Sequence, residues 1–246
     1  MVQGNVVTAG AQAEQSPFAV TNASGDPSGF AVDLMNEAAR RLGVKVQYKT
    51  TNLQSILAGL SAGQYGIGVA GIGATAERAQ QVAFTKPYYW GFTAVVTKEA
   101  GKQSTLGDLD GKRVGVVSGA VQEAFATQRM SKAKLVKFKD QTSLITQLLS
   151  DGVDAIVLGG ADADTYVRRE PVRIAVEQDS LQGSAFPLGK NGDPKLLKDI
   201  DAQIDDRTYT KLYKKYFNDP VAAGLIKERP NLAKQVTGTA LAPAAN

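Results

Sequence analysis

Arg78 closes a glycine-rich turn, Gly71-Ile-Gly-Ala-Thr-Ala-Glu-Arg78, which follows an apolar strand read over Ile67–Ala70. The turn is expected to lead into a short helix starting near Thr75, leaving backbone N–H groups at a helix N-terminus with a guanidinium in its first turn. Amide donors plus a forked cation suit a small anion, most simply a carboxylate, whose two oxygens match two parallel N–H donors. Two plainer readings stand beside this one. Arg78 can be a surface arginine paired with Glu77 or Asp33, and the glycines can serve only a tight turn with positive φ. Gly71-Ile-Gly73-Ala-Thr-Ala76 also fits a dinucleotide fingerprint. Pro87 cuts the following helix short, and the acidic residue expected about 20 positions on at the end of a second strand is missing, which argues against it.

A second turn, Ser118-Gly-Ala-Val-Gln-Glu123, opens another helix after a strand read over Arg113–Val117. Its N–H groups would face the other side of the same anion. Ala120 and Val121 bring no hydroxyl to it, and Gln122 keeps it polar. The aromatic residues Tyr88, Tyr89, Trp90 and Phe92 cluster where these segments meet, with Phe18 and Phe186 as possible neighbours. They read as core packing or, for Trp90 above all, as a wall of a cleft. Large apolar walls with one anion clamp would suit a bulky carboxylate.

Composition removes much other chemistry. Cysteine and histidine are absent. This excludes thiolate metal sites, disulfides, cysteine nucleophiles and Ser-His-Asp triads, and it removes the common zinc sites. No metal and no cofactor are expected. The net charge of +4 reads as a solubility feature, because the densest basic patch, Lys132–Lys139, holds a single aromatic, Phe138. A nucleic-acid partner is therefore not expected, and the patch reads as a solvated hairpin or strand edge. No apolar run approaches the ~20 residues of a membrane helix.

Strands alternate with helices along the chain. Val6–Ala9, Val44–Tyr48, Ile67–Ala70 and Phe92–Thr97 read as strands, with helices over Asp33–Leu42 and Leu53–Leu60 between them. The pattern then restarts with strands at Arg113–Val117, Lys134–Phe138 and Asp154–Leu158, and a helix at Thr142–Leu149. Leu60-Ser-Ala-Gly63 before one apolar strand resembles Leu149-Ser-Asp-Gly152 before another, so two similar α/β lobes are expected. Pro194–Tyr216 reads as one or two helices. Crossing near Phe92–Val96 and returning near Gly183–Leu188 would make a two-strand hinge.

The stretch Gly63–Tyr89, with Thr75-Ala-Glu-Arg78 and Lys86-Pro-Tyr-Tyr89, resembles the ligand-binding signature of family 3 solute-binding proteins, the extracytoplasmic receptors of polar amino acid ABC importers. The element order matches over about residues 5–218. The resemblance implies an α/β, two-lobed periplasmic-binding-protein type II fold with two hinge strands and a cleft between the lobes. It implies lobe 1 at residues 1–93 plus 187–236 and lobe 2 at 94–186, while the small, Pro-containing tail at 237–246 reads from its composition as disordered. It further implies a monomeric, non-enzymatic receptor in the periplasm or another extracytoplasmic space. Its partners are a small carboxylate ligand and a membrane permease, and the export signal, absent before Val2, is expected to have been removed.

Carried over residue by residue, the resemblance puts Arg78 on the ligand's α-carboxylate, supported by Thr75. Other positions depart from the family pattern. Gly71 and Gly73 stand where members often carry a hydroxyl, and Leu53 stands where a stacking aromatic is common. Gln12 and Gln15 replace acidic or aromatic residues of the first-strand loop. Ala120 and Val121 replace a Thr or Ser-Thr. Gly159 stands where members carry the carboxylate that binds the ligand's amino group, so the cation-binding half of the pocket reads as stripped. Two alternatives follow: a dehydratase on the same fold with Glu14 as general acid, or a binding scaffold with altered or lost affinity.

Overall fold

The computed structural model describes residues 2–180, 182–192, 194–204, 207–217, 221–230 and 232. The expectations for Met1 and for the tail at 237–246 lie outside them. β1 (Val2–Gln3) and β2 (Val6–Ala11) pair antiparallel, and β3 (Glu14–Gln15), β4 (Ala19–Thr21) and β5 (Pro27–Ser28) make a small three-stranded sheet. α1 (Phe30–Leu42) begins earlier than the apolar spacing indicates. Gly29 sets its start, with φ at 122°, where a Cβ would sit 2.6 Å from the Phe18 carbonyl oxygen. The helix ends at Gly43, whose left-handed conformation returns its N–H to the last turn. β6 (Lys45–Thr50) and α2 (Leu53–Ser61) follow, the helix capped by the Asn52 side chain accepting from the Ser55 N–H.

β7 (Ile67–Val69), β8 (Val82–Phe84) and β9 (Phe92–Lys98) come next. Then come β10 (Arg113–Val117), α3 (Val121–Arg129), β11 (Lys134–Phe138), α4 (Gln141–Leu149), β12 (Ala155–Gly159), α5 (Gly160–Val167) and β13 (Val172–Asp179). β14 (Pro187–Gly189), α6 (Pro194–Ile204), α7 (Arg207–Tyr216) and α8 (Ala223–Glu228) end the described chain.

Two separate sheets carry the architecture. The first runs β1-β2-β7-β14-β8 with β6 alongside β2, and the second runs β11-β10-β12-β9-β13. β2, β6 and β7 pair in parallel, as do β10, β11 and β12. Central strands such as β7 and β12 are continuous apolar runs because helices cover both faces. β11 lies at an edge and exposes its lysines, as the basic patch there requires.

The first lobe's core is an aromatic cluster. Phe30 packs edge-on against Phe217 and Tyr213, and Tyr88 lies 4.3 Å from Phe186, ring centroid to centroid. The Pro194–Tyr216 segment, read as one or two helices, is two, α6 and α7, both packed on α1.

The two crossings between sheets run side by side. Tyr88 and Ser184 are joined by backbone hydrogen bonding, Ser184 also donates to Tyr89, and Ser180 donates to Gly91. Trp90 belongs to this crossing rather than to a cleft wall. Its indole N–H donates to the Ser180 carbonyl at 3.0 Å, and its ring fills the space where Gly183 or Gly224 would carry a Cβ. Among the described residues no helix is long and apolar enough to span a membrane.

Candidate functional site

Between the lobes lies a narrow crevice with a free volume of about 30 Å³. Its lining from the first lobe includes Gln12, Gln15, Leu53, Gly71, Gly73 and Arg78. From the second lobe come Ala120, Val121, Gln122, Gln141 and Gly159. Thr75 does not line it. Instead, the Thr75 hydroxyl accepts the Arg78 backbone N–H at 3.2 Å and so fixes where the guanidinium begins.

The element after the glycine turn is a single 3-10 turn, Arg78–Gln80, rather than the expected helix. β8 starts only two residues later, leaving no room for an α-helical macrodipole. The positive charge at this end comes from Arg78 itself. Its Nη1 donates to the Gly73 carbonyl at 2.8 Å, and its Nη2 donates across the cleft to the Gly119 carbonyl at 2.7 Å. Neither surface-pair alternative holds. Glu77 forms no ion pair with Arg78, and Asp33 is engaged by Lys215 and Tyr216. Burial pushes the Arg78 guanidinium down to about 10, with Glu77 pulling slightly back, so it stays cationic at neutral pH.

The glycines are dictated by close approach. A Cβ at Gly71 would lie 2.9 Å from both Gln15 and Phe18, and one at Gly73 would lie 2.9 Å from Val121 of the other lobe. Gln15 uses this space: its Oε1 accepts the Gly71 N–H at 2.7 Å. Leu53 is buried in a cluster that Ala120 of the second lobe joins. In the second turn, Glu123 folds back to accept the Gly119 N–H at 2.5 Å, with Lys137 holding its carboxyl below the usual range. Ala120 is the N-cap without a side-chain acceptor. The first N–H groups of α3, at Val121 and Gln122, therefore have no intrahelical acceptor, and both residues line the crevice.

Glu14 has a different role from an acid over a substrate. Its carboxylate accepts the Gln141 backbone N–H at 3.3 Å and the Thr142 hydroxyl at 3.1 Å, tying the small first-lobe sheet to the start of α4. Gln54 makes a second bridge, donating to the Ser118 carbonyl at 2.9 Å. Glu14→Ala should cost about 1 kcal/mol of this inter-lobe contact. The expected result is a larger radius of gyration by small-angle scattering than for the unmutated protein. An unchanged radius would show that the Glu14 bridge does not hold the lobes together.

Sequence reasoning missed Gln141 and Asp162. Asp162 sits in the first turn of α5 and is 2% exposed. Its carboxylate lies 3.0 Å from where a Gly159 Cβ would be, so it occupies the side-chain space that Gly159 leaves empty. Burial pushes its carboxyl up to about 7, and the Gln141 and Gln15 side chains pull the other way. The available signal was a lone acid in the small, apolar run Leu158-Gly-Gly-Ala-Asp-Ala, but Asp164 lies two positions on, and sequence does not say which turns inward. Among the described residues no cluster of three metal-ligating side chains occurs.

The profile of the bacterial extracellular solute-binding proteins, family 3, matches residues 7–219. A probable histidine-binding protein of Campylobacter jejuni is 31% identical over 196 residues, covering 77% of this chain and 76% of its own. The histidine-binding periplasmic protein of Salmonella typhimurium is 29% identical over 224 residues, covering 85% and 86%. Among solved structures, an ancestral arginine-binding protein bound to glutamine superposes with a TM-score of 0.84 at 31% identity, covering 89% of this chain and 100% of that one. The architecture is the two-lobed periplasmic-binding-protein fold those structures share. With the family profile spanning nearly all the described elements, the chain belongs to family 3 of the bacterial extracellular solute-binding proteins.

Proposed function

We propose that this protein is the solute-binding receptor of an ABC importer, closing its lobes on a small ligand that carries a carboxylate, an amino acid above all. The observation that carries this reading is Arg78, a cation lining the crevice whose donors span the two lobes and are not paired to a carboxylate side chain. A ligand carboxylate would replace the carbonyl acceptors with a charge-assisted, forked pair, which is stronger than either neutral bond. Gly71, Gly73, Leu53, Gln12 and Gln15 would shape the first-lobe wall, with Ala120, Val121, Gln122 and Gly159 opposite.

In this reading residues 1–93 and 187–236 form one lobe and 94–186 the other. Membership of β9 and β13 in the second sheet and of β14 in the first supports that division. Closure is a population shift driven by contacts to both lobes. The receptor works as a monomer in the periplasm or an equivalent extracytoplasmic space and delivers ligand to a membrane permease. Amino-acid-binding relatives with periplasmic names support the location and the ligand class. A dehydratase role is not favoured, because Glu14 is committed to Gln141 and Thr142.

A thermal-shift panel of L-histidine, L-arginine, L-lysine and L-glutamine, with acetate and succinate as simple carboxylates, tests the reading. A ligand at 100 times its Kd adds about 2.7 kcal/mol. For a chain of this size that raises the melting temperature by roughly 5–10 °C. If no amino acid and no simple carboxylate shifts the melt, the receptor reading falls and a scaffold without affinity takes its place.

A further inference from the structure

The crevice has a second pole, and its chemistry is opposite to that of Arg78. Asp162 Oδ1 and Gln141 Oε1 are both buried oxygen acceptors, and neither has a hydrogen-bond partner. Their residues are 2% and 6% exposed. Each unsatisfied buried acceptor is costly unless a donor arrives. Gln141 and Gly159 line the same crevice as Arg78, and Oδ2, the other oxygen of the Asp162 carboxylate, stands in the space beside Gly159, with the Gln122 amide 3.6 Å from the same point.

Other charges do not neutralise Asp162. Among the described residues it forms no ion pair. Tyr166, one turn along its own helix, feels the charges of Asp162 and of Glu14, which faces the start of α4, and neither Tyr166 nor Glu14 is a cation. On the strands packed against α5, Lys98 pairs with Asp151, Arg173 donates to the carbonyls of Gly101 and Gln103, and Glu177 and Asp179 are acidic. An ammonium supplies the missing partner: three donors and one positive charge.

Resting on the receptor reading above, we propose that Asp162 and Gln141 form an ammonium-binding pole opposite Arg78, which restricts the ligand to small zwitterions, the free α-amino acids, rather than simple organic anions. The resemblance points to position 159 for such a carboxylate. Here a glycine at 159 opens the path, and a residue one helical turn further supplies the charge. The pocket is rebuilt rather than stripped.

Isothermal titration of L-histidine, L-arginine and L-glutamine, each against its Nα-acetyl derivative, tests this on the unmutated protein and on Asp162→Asn. The unmutated protein should bind the free amino acid at least about 100-fold more tightly than the acetylated one. Asp162→Asn should bind the free amino acid about 100-fold more weakly and lose most of that discrimination, while its melt remains cooperative. Near pH 6, binding to the unmutated protein should release a proton, seen as heat that varies with the buffer's ionisation enthalpy. The variant should release none. A purely packing role for Asp162 would not move the discrimination ratio or the proton count.

If the acetylated ligands bind as well as the free ones, or Asp162→Asn keeps both affinity and discrimination, the ammonium pole is overturned while the receptor reading stands. If no amino acid binds but simple carboxylates do, the ammonium pole is likewise overturned. If nothing binds the unmutated protein, both fall together.

Discussion

Arg78→Ala should abolish most of the affinity for any carboxylate ligand, by about 2–4 kcal/mol, or roughly 30- to 1,000-fold in Kd. Most of that loss comes from leaving a buried ligand carboxylate without a partner, not from the strength of the pair alone. Arg78 also joins Gly73 to Gly119 across the cleft, so the substitution loosens closure as well. Arg78→Lys separates the two effects. Lysine keeps the charge but cannot present two parallel donors, so it should recover only part of the loss. The Arg78 guanidinium is held near 10, so affinity should not fall between pH 6 and 9 through loss of its charge. Titration of the tightest amino acid found in the thermal screen would measure this. Equal affinity in Arg78→Ala and the unmutated protein would remove Arg78 from the binding site.

The second large effect is on stability, and its sign is unusual for an aspartate. The Asp162 carboxyl is raised to about 7 in the folded state, against an ordinary value of 3.8. Between those values the folded chain holds a proton that the unfolded chain has released. Stability from this group is therefore fully present below about 4, declines as pH rises through 7, and levels off above it. At 1.36 kcal/mol per pH unit the full span is about 4 kcal/mol. Asp162→Asn carries no such charge. It should be more stable than the unmutated protein by about 2–4 kcal/mol at pH 8 and nearly equal to it at pH 4. Denaturant midpoints across that range would show the gap opening.

The comparison must be made as a difference between the two proteins. Groups such as Glu37, held at about 2 by Arg40 and Arg41, contribute stability that is present above the ordinary glutamate value and lost in strong acid, and they act equally in both. A gap of constant size from pH 4 to 8 would show that Asp162 is not a buried, titrating acid. A gap that opens toward pH 8 would show one residue serving binding while costing the empty protein stability, a trade common at functional sites.

Particular residues show what was readable without coordinates. The Gly71–Arg78 turn, the Ser118–Gln122 turn and Gly159 could be placed near one crevice because each joins a strand end to the element that follows, and in α/β sheets those ends gather on one side. Trp90 was not readable, because its direction depends on contacts with Ser180, Gly183 and Gly224, far away in sequence. The 3-10 turn at Arg78–Gln80 defeated the helix expectation because a strand starts immediately after it. Glu14 looked like a candidate acid until its carboxylate was seen capping α4 from the other lobe.

What the sequence determined by itself was local and periodic. Apolar runs specified buried strands, Gly43 ended a helix, and the motif around Arg78 marked a turn that lines the crevice, because backbone sterics and hydrophobic spacing act within a few residues. What only the tertiary structure decided was the other half of the pocket. Asp162 and Gln141 matter because the second lobe folds the starts of α4 and α5 against the crevice, burying both, and sets Asp162 beside Gly159, where the same side chains in water would be ordinary. Burial and mutual distance, not residue type, raise that carboxyl and leave its oxygen waiting for a donor.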